Sequence, residues 1–253
     1  QQGAFHERYI LSGYRSPDYS LAECLRSAFR PTNETGNFWS HFLPLFFFSY
    51  RVLEVLGWPL WTYFLGVACL LLGSSLAHLL NAMSLVVREV CFFLDYGAIA
   101  AYTVGSSLAY FYYIHPRAGL LDRDPERFYI PAACAVAVVC VLCCSLTRQR
   151  WRRHRYLIRT LVFLLPLLVS STPVFYRLLA GSPYVAGSAS WAASAPSPAF
   201  FWRHCLWLLV SAVFNVAKLP ERLAPGRFDV WGHSHHWFHC CTFLSILNQL
   251  HMI

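Results

Sequence analysis

Charge is what this chain has least of. Asp, Glu, Lys and Arg make up 13% of its 253 residues, about half the share of an ordinary soluble domain. Hydrophobic residues reach 57%, aromatics 17% and mean hydropathy +0.44, which excludes a soluble globular chain and implies a polytopic membrane protein. The chain has no apolar signal-peptide core at its start, which is polar and aromatic. It also has no repeat at solenoid period. It opens on Gln1 rather than Met and closes inside an apolar run, so a trimmed chain is expected.

The ten cysteines do not form a secreted disulfide framework. Cys69, Cys134, Cys140, Cys205, Cys240 and Cys241 lie inside apolar runs, where cysteine acts as a small hydrophobe. Cys143-Cys144 sit at a span end beside arginines; the pattern permits palmitoylation, but packing is the favoured role. The net charge of +8 is carried by basic residues in the loops between apolar runs. That distribution is one of orientation signals and argues against a nucleic-acid partner.

A helix needs about 20 apolar residues to cross the hydrocarbon core, and the chain offers seven such runs. They are Asn37–Leu56, Leu60–Asn81, Val90–Ile114, Phe128–Thr147, Leu157–Ala180, Phe200–Lys218 and Ser234–Ile253. The fold class is therefore all-α, a seven-transmembrane helix bundle over residues 37–253. Residues 1–36 form a polar N-terminal segment in which Leu21, Ala22, Cys24, Leu25, Ala28 and Phe29 recur at helical spacing, as in a short surface helix. Gly57-Trp58-Pro59 reads as a tight break and Gly181–Pro198 as a surface loop. Pro166 and Pro173 are expected to kink the fifth span. With the N-terminus inside, fourteen basic residues fall on the cytosolic side against five outside, Arg51 apart. The N-terminus is then cytosolic and the C-terminus external. The Asn33-Glu-Thr35 sequon would lie in the cytosol, out of reach of glycosylation.

The chemistry concentrates in Gly232-His-Ser-His-His-Trp-Phe-His239. His235 and His239, four apart, project from one helix face and can fill two corners of a tetrahedral zinc site. His236 and His239 form a competing i,i+3 pair that spacing leaves open. His78, at the inner end of the second span, has Ser74 one turn deeper on the same face, and Asp95 falls one to two turns into the third span. At 1.5 Å per residue these groups share a depth of roughly 5–10 Å beneath one membrane face. Three neutral imidazoles with a carboxylate or water make a zinc set; a softer metal is disfavoured because no thiolate stands at matching spacing. Other polar residues receive packing or interface roles: Asn37, His41 and Glu34 at the start of the first span, and Asn215 and Lys218 at the inner end of the sixth. Arg51 and Glu54 are expected to pair, and the run Arg148–Arg155 to anchor anionic lipid.

Several stretches together resemble the progestin and adipoQ receptor family, in its membrane progestin receptor branch. They are Ser12-Gly-Tyr-Arg15, Thr32-Asn-Glu-Thr-Gly-Asn-Phe-Trp-Ser-His41, Ser74-x-x-x-His78 and Phe93-Leu-Asp-Tyr-Gly-Ala98. Leu219–Asp229 and Gly232-His-Ser-His-x-x-Phe-His239 complete the match. Ile10–Arg15, Ala22–Leu25 and Phe214-Asn-Val-x-Lys218 look most like its epsilon subgroup. The resemblance implies a seven-helix core with its N-terminus inside and a zinc ion near the cytosolic face. It maps the ligands to His78, His235 and His239, with Asp95 completing the site directly or through water and Ser74 beside it. The family pattern has Gln where this chain has His236. The branch also carries an eighth span, expected beyond the end of this chain.

Two functions follow from the resemblance. The first is a plasma-membrane receptor for a steroid of the progestin class, reaching its site from the bilayer lipid, with G proteins as candidate cytosolic partners. The second is a zinc-dependent lipid amide hydrolase of the ceramidase kind, in which Asp95 takes a proton from water and Ser74 steadies an oxyanion. A structural zinc without turnover is a third option.

Overall fold

In lipid a backbone can satisfy its own N–H and C=O groups only as a helix or a closed barrel, and the apolar runs of this chain become helices. A computed structural model describes residues 6–52, 58–114, 125–149, 154–179 and 198–253. Short α1 (Leu21–Ser27) is followed by seven longer helices: α2 (Thr35–Val52), α3 (Trp58–Leu80), α4 (Leu85–Ile114), α5 (Pro125–Gln149), α6 (Arg155–Leu179), α7 (Pro198–Ala217) and α8 (Ser234–Leu250). No strand occurs among the described residues. The stretches over Leu60–Leu80, Arg127–Arg148, Arg155–Leu179 and Pro198–Ala217 are long and apolar enough to cross a membrane.

Helix bounds follow the apolar runs within a few residues, with one consequential exception. α4 begins at Leu85 instead of Val90, because Ser84 Oγ accepts a bond from Val87 N at 3.1 Å and caps a turn earlier. Asp95 thus stands in the third turn of α4 rather than the first or second. α6 runs as one helix through Pro166 and Pro173. Glu54 and the loop expected from Gly181 lie outside the described residues, except that Pro198 opens α7, a position where its missing N–H costs nothing.

Neighbouring helices pack as α2–α3–α4 and α4–α5–α6, and α8 closes the ring between α2 and α7. Lipid supplies no hydrophobic drive between helices, so close backbone approach through small residues carries much of the packing. At Gly105 of α4 a Cβ would lie 2.5 Å from Thr62 O of α3, so only glycine admits this α3–α4 contact. The core beside it joins Phe48, Tyr63, Val67, Leu71, Tyr102 and Ile246 from α2, α3, α4 and α8. Outward-facing Leu65, Leu94, Leu168 and Leu209 remain exposed, the arrangement a bundle needs when its solvent is hydrocarbon.

The N-terminal segment is tied onto one end of this bundle. Ser20 and Glu23 cap α1 reciprocally. The helix and the two residues after it bury Cys24 and Ala28 and leave Leu21, Leu25 and Phe29 exposed. Asp229 then holds the segment to the α7–α8 connection, accepting from Leu11 N at 3.0 Å and Ser12 Oγ at 2.6 Å. Asn33 of the sequon is buried.

A three-histidine candidate metal centre

Two helices bring three imidazoles together at the end of the bundle that carries the N-terminal segment. His78 comes from the last turn of α3, and His235 and His239 from the first turns of α8. Their ligand atoms all lie within 4.8 Å of one another. His78 Nε2 and His235 Nε2 are 3.1 Å apart, close to the roughly 3.3 Å separating two nitrogens on one tetrahedral zinc with bonds of about 2 Å.

The far nitrogens of His78 and His239 are spoken for, which leaves their near ones as donors. His78 Nδ1–H donates to Glu34 Oε2 at 2.7 Å. His239 Nδ1 meets Ser40 Oγ at 2.8 Å, and Ser40 Oγ donates to Asn37 O at 3.0 Å. Glu34 is fixed in turn by Asn37 Nδ2 at 2.8 Å and Asn81 Nδ2 at 2.9 Å. A carboxylate behind a ligating imidazole sets its tautomer and raises its basicity. The donor set therefore fits a zinc ion by residue type and by how the His78 and His239 rings are held.

The first helix of the ring supplies more than packing, contrary to the role expected for its polar edge. Glu34 and Ser40 orient two of the clustered rings, and His41 stacks on His239 at 3.7 Å and 15°. Both nitrogens of the buried His41 lack a hydrogen bond among the described residues. Position in the sequence concealed this, because Glu34 is 44 residues from the ring it holds. The capping of α8 likewise comes from a distance: Glu221, 2% exposed, accepts from Ser234 N at 2.7 Å and from the Ser234 hydroxyl. A carboxylate there complements the helix dipole. His233 precedes the helix with Nε2–H on Asn33 O at 3.1 Å. Burial holds its pKa below the ordinary histidine value, against the pull of the Asn33 carbonyl.

Of the two histidine pairs, it is His235 and His239 whose ligand atoms lie together with those of His78. His236 turns away, accepts from Gly232 N at 3.0 Å and lies against His233 with ring centroids 3.7 Å apart. Its Nε2 fills space above Gly36, where a Cβ would stand 2.3 Å away.

Asp95 and Ser74 are not drawn into the cluster. Asp95 lies within electrostatic reach of His78 and Arg159 but accepts no hydrogen bond among the described residues and falls outside the mutually close ligand atoms. Ser74 is buried on α3, one turn from His78. In the basic run Arg150, Arg152 and Arg153 lie outside the described residues, and the two arginines at its ends depart from expectation. Arg148 is bidentate to Glu89 at 2.6 Å for each bond, and Arg155 reaches Glu7. These guanidiniums are spent inside the protein instead of on lipid, because acidic side chains of α4 and the N-terminal segment stand within reach. Lys218, expected to snorkel outward, is 7% exposed with its ammonium 3.5 Å above the Tyr156 ring.

A family model described as haemolysin-III related matches residues 29–250. The chain belongs to that family. It is 36% identical to the membrane progestin receptor gamma of Mus musculus, over 98% of this chain and 77% of the relative. It is 35% identical to the membrane progestin receptor delta of Homo sapiens, covering 98% and 75%. Against the membrane progestin receptor beta of Homo sapiens the figures are 31%, 98% and 72%. These relatives put the chain in the membrane progestin receptor branch of the progestin and adipoQ receptor family, and with its four crossing-length helices make it a membrane protein. The three clustered histidines thus sit in a membrane receptor family, on helices the family model covers.

Proposed function

We propose that this protein is a multi-pass plasma-membrane receptor for a steroid of the progestin class, with zinc held by His78, His235 and His239 as an integral part of its fold. All seven long helices cross the bilayer in this reading, with the N-terminus cytosolic and G proteins as candidate partners there. Assignment to the epsilon subgroup rests on Ile10–Arg15, Ala22–Leu25 and Phe214–Lys218 and is part of the same proposal. The observation that carries it is the convergence of three imidazoles, each from a span end, in a chain whose relatives are named progestin receptors.

Zinc, when bound, acidifies coordinated water and polarises a carbonyl oxygen; the residues here orient its ligands through Glu34 and Ser40. One observation favours a second reading, a lipid amide hydrolase. A polar cavity of about 120 Å³ reaches His78 and His235, so the centre has an approach for water. In that reading Asp95 is the proton acceptor and Ser74 the oxyanion donor, and Asp95 completes the zinc site directly or through water.

The deciding experiment measures saturable progesterone binding and ceramide hydrolysis on the same purified samples of wild type and Asp95→Asn. Steroid binding without hydrolysis in either is expected. Hydrolysis that disappears in Asp95→Asn, with no saturable steroid binding, reverses the assignment.

A further inference from the structure

The polar cavity beside the histidines has a second wall that the metal centre does not use. We propose that this wall is an oxyanion subsite for a phosphoryl group, and that Glu7 of the N-terminal segment occupies it as a built-in substitute for the ligand.

The wall is made by Arg155 and Tyr156 at the start of α6, Lys218 just past α7, and Glu7 opposite them. Arg155 Nη2 donates to both Glu7 oxygens, at 3.2 and 3.1 Å, and the Tyr156 hydroxyl donates to Glu7 Oε2. Arg155 Nη2 also touches the Tyr156 oxygen at 2.7 Å. An anion is therefore already seated at this point, and it is one of the chain's own.

Two features mark the subsite as under-filled by a carboxylate. The Lys218 ammonium lines the cavity in a residue 7% exposed, yet makes no hydrogen bond among the described residues; it rests on the Tyr156 ring and feels Glu7 and Glu221 only through space. A buried ammonium without an acceptor is costly. Arg155, in addition, uses Nη2 alone; its Nε and Nη1 protons make no bond among the described residues. Donors from Arg155, Tyr156 and Lys218 suit an anion with three terminal oxygens better than one with two.

Charge points the same way. Six cationic side chains line the cavity against three carboxylates, and one of the six, Arg148, is paired with Glu89 outside the lining. Two of those carboxylates are committed, Glu34 to His78 and Glu221 to Ser234. With Glu7 in place the wall is still cationic, and a phosphomonoester carrying nearly two charges balances it more fully. Glu7 is also displaceable, since its side chain is 38% exposed and that of Arg155 is 30% exposed. The phosphoryl group can come from an anionic lipid headgroup or from a soluble phosphate. The inference does not depend on the steroid or zinc readings.

The test titrates detergent-purified protein with inorganic phosphate and, separately, with dihexanoyl phosphatidic acid, by calorimetry. Glu7→Gln is expected to bind about tenfold tighter than wild type, the effect of removing a competitor that holds the subsite about nine-tenths of the time. Arg155→Gln and Lys218→Met are expected to lose binding, and His78→Ala to retain it. Tyr156→Phe, which keeps the ring, is expected to weaken binding if Lys218→Met fails to fold. Saturation by inorganic phosphate supports a soluble source, and saturation by phosphatidic acid alone supports a headgroup. The proposal is overturned if neither probe saturates Glu7→Gln. It is equally overturned if binding survives Arg155→Gln but vanishes in His78→Ala, which would place the anion on the histidine centre.

Discussion

The guanidinium of Arg15 closes on the main chain of His78. Nη2 donates to His78 O at 2.6 Å and Nη1 to Leu79 O at 2.6 Å, so two of the carbonyls left open where α3 ends are covered by one buried cation. The same Nη2 reaches Asn81 Oδ1 at 2.7 Å, and Asn81 donates to the Glu34 carboxylate that holds the His78 ring. The N-terminal segment is thereby bonded to both the backbone and the side chain of one member of the cluster.

Arg15→Met is expected to lower stability by about 2–4 kcal/mol, since it leaves buried carbonyls without donors. Thermal unfolding in detergent reads that loss. Metal content measured on the same samples should fall as well, whereas a variant at an exposed arginine such as Arg8 should change neither.

Metal content separates the histidines. Wild type is expected to carry about one zinc per chain, and His78→Ala, His235→Ala and His239→Ala to carry little, by atomic absorption. His236→Gln should keep its zinc, because that ring faces Gly36 and His233. Glu34→Gln, which weakens the hydrogen bond behind His78, should reduce zinc affinity roughly 10–100-fold in a chelator competition. Zinc absent from wild type would remove the metal reading.

Gly36→Ala places a methyl carbon 2.3 Å from His236 Nε2. Overpacking of this kind costs about 1–3 kcal/mol, and His236→Ala in the same chain should restore most of it. A thermal melt in which the double variant matches Gly36→Ala would show that the ring is not the obstacle.

The Glu7 attachment has a defined pH window. Burial raises the pKa of this carboxyl, but Arg155, Lys218 and the Tyr156 hydroxyl outweigh it and hold the pKa below the ordinary glutamate value. A depressed folded-state pKa contributes stability above the unfolded pKa and loses it as pH falls through the folded one. Hydrogen exchange of residues 7–12, corrected for the intrinsic rate, should stay flat from neutral pH to about pH 5 and accelerate only below about pH 4. In Glu7→Gln the protection should be weaker and indifferent to pH across that range.

Much of this arrangement is legible along the chain because it is local. Helix positions follow from apolar runs and caps, and the His235–His239 face follows from the 3.6-residue turn. Where expectation fails, a local signal was read without its distant partner. Arg148 and Arg155 look like lipid anchors, and Lys218 like a snorkelling side chain, until Glu89, Glu7 and Tyr156 are found beside them. His236 has the spacing of a ligand, yet its ring stands outside the cluster because α8 is turned so that it lies against Gly36 of α2.

Composition, helical period and the spacing of the histidines determined by themselves that this is an all-helical membrane protein with clustered imidazoles at one end. Only the tertiary structure decided which histidines meet, that Glu34 and Ser40 stand behind them, and that Arg15 and Glu7 bind the N-terminal segment to that end. The reason is physical: a helix sets the direction of each side chain relative to its own axis, but the distance between side chains on different helices is set by how those helices pack.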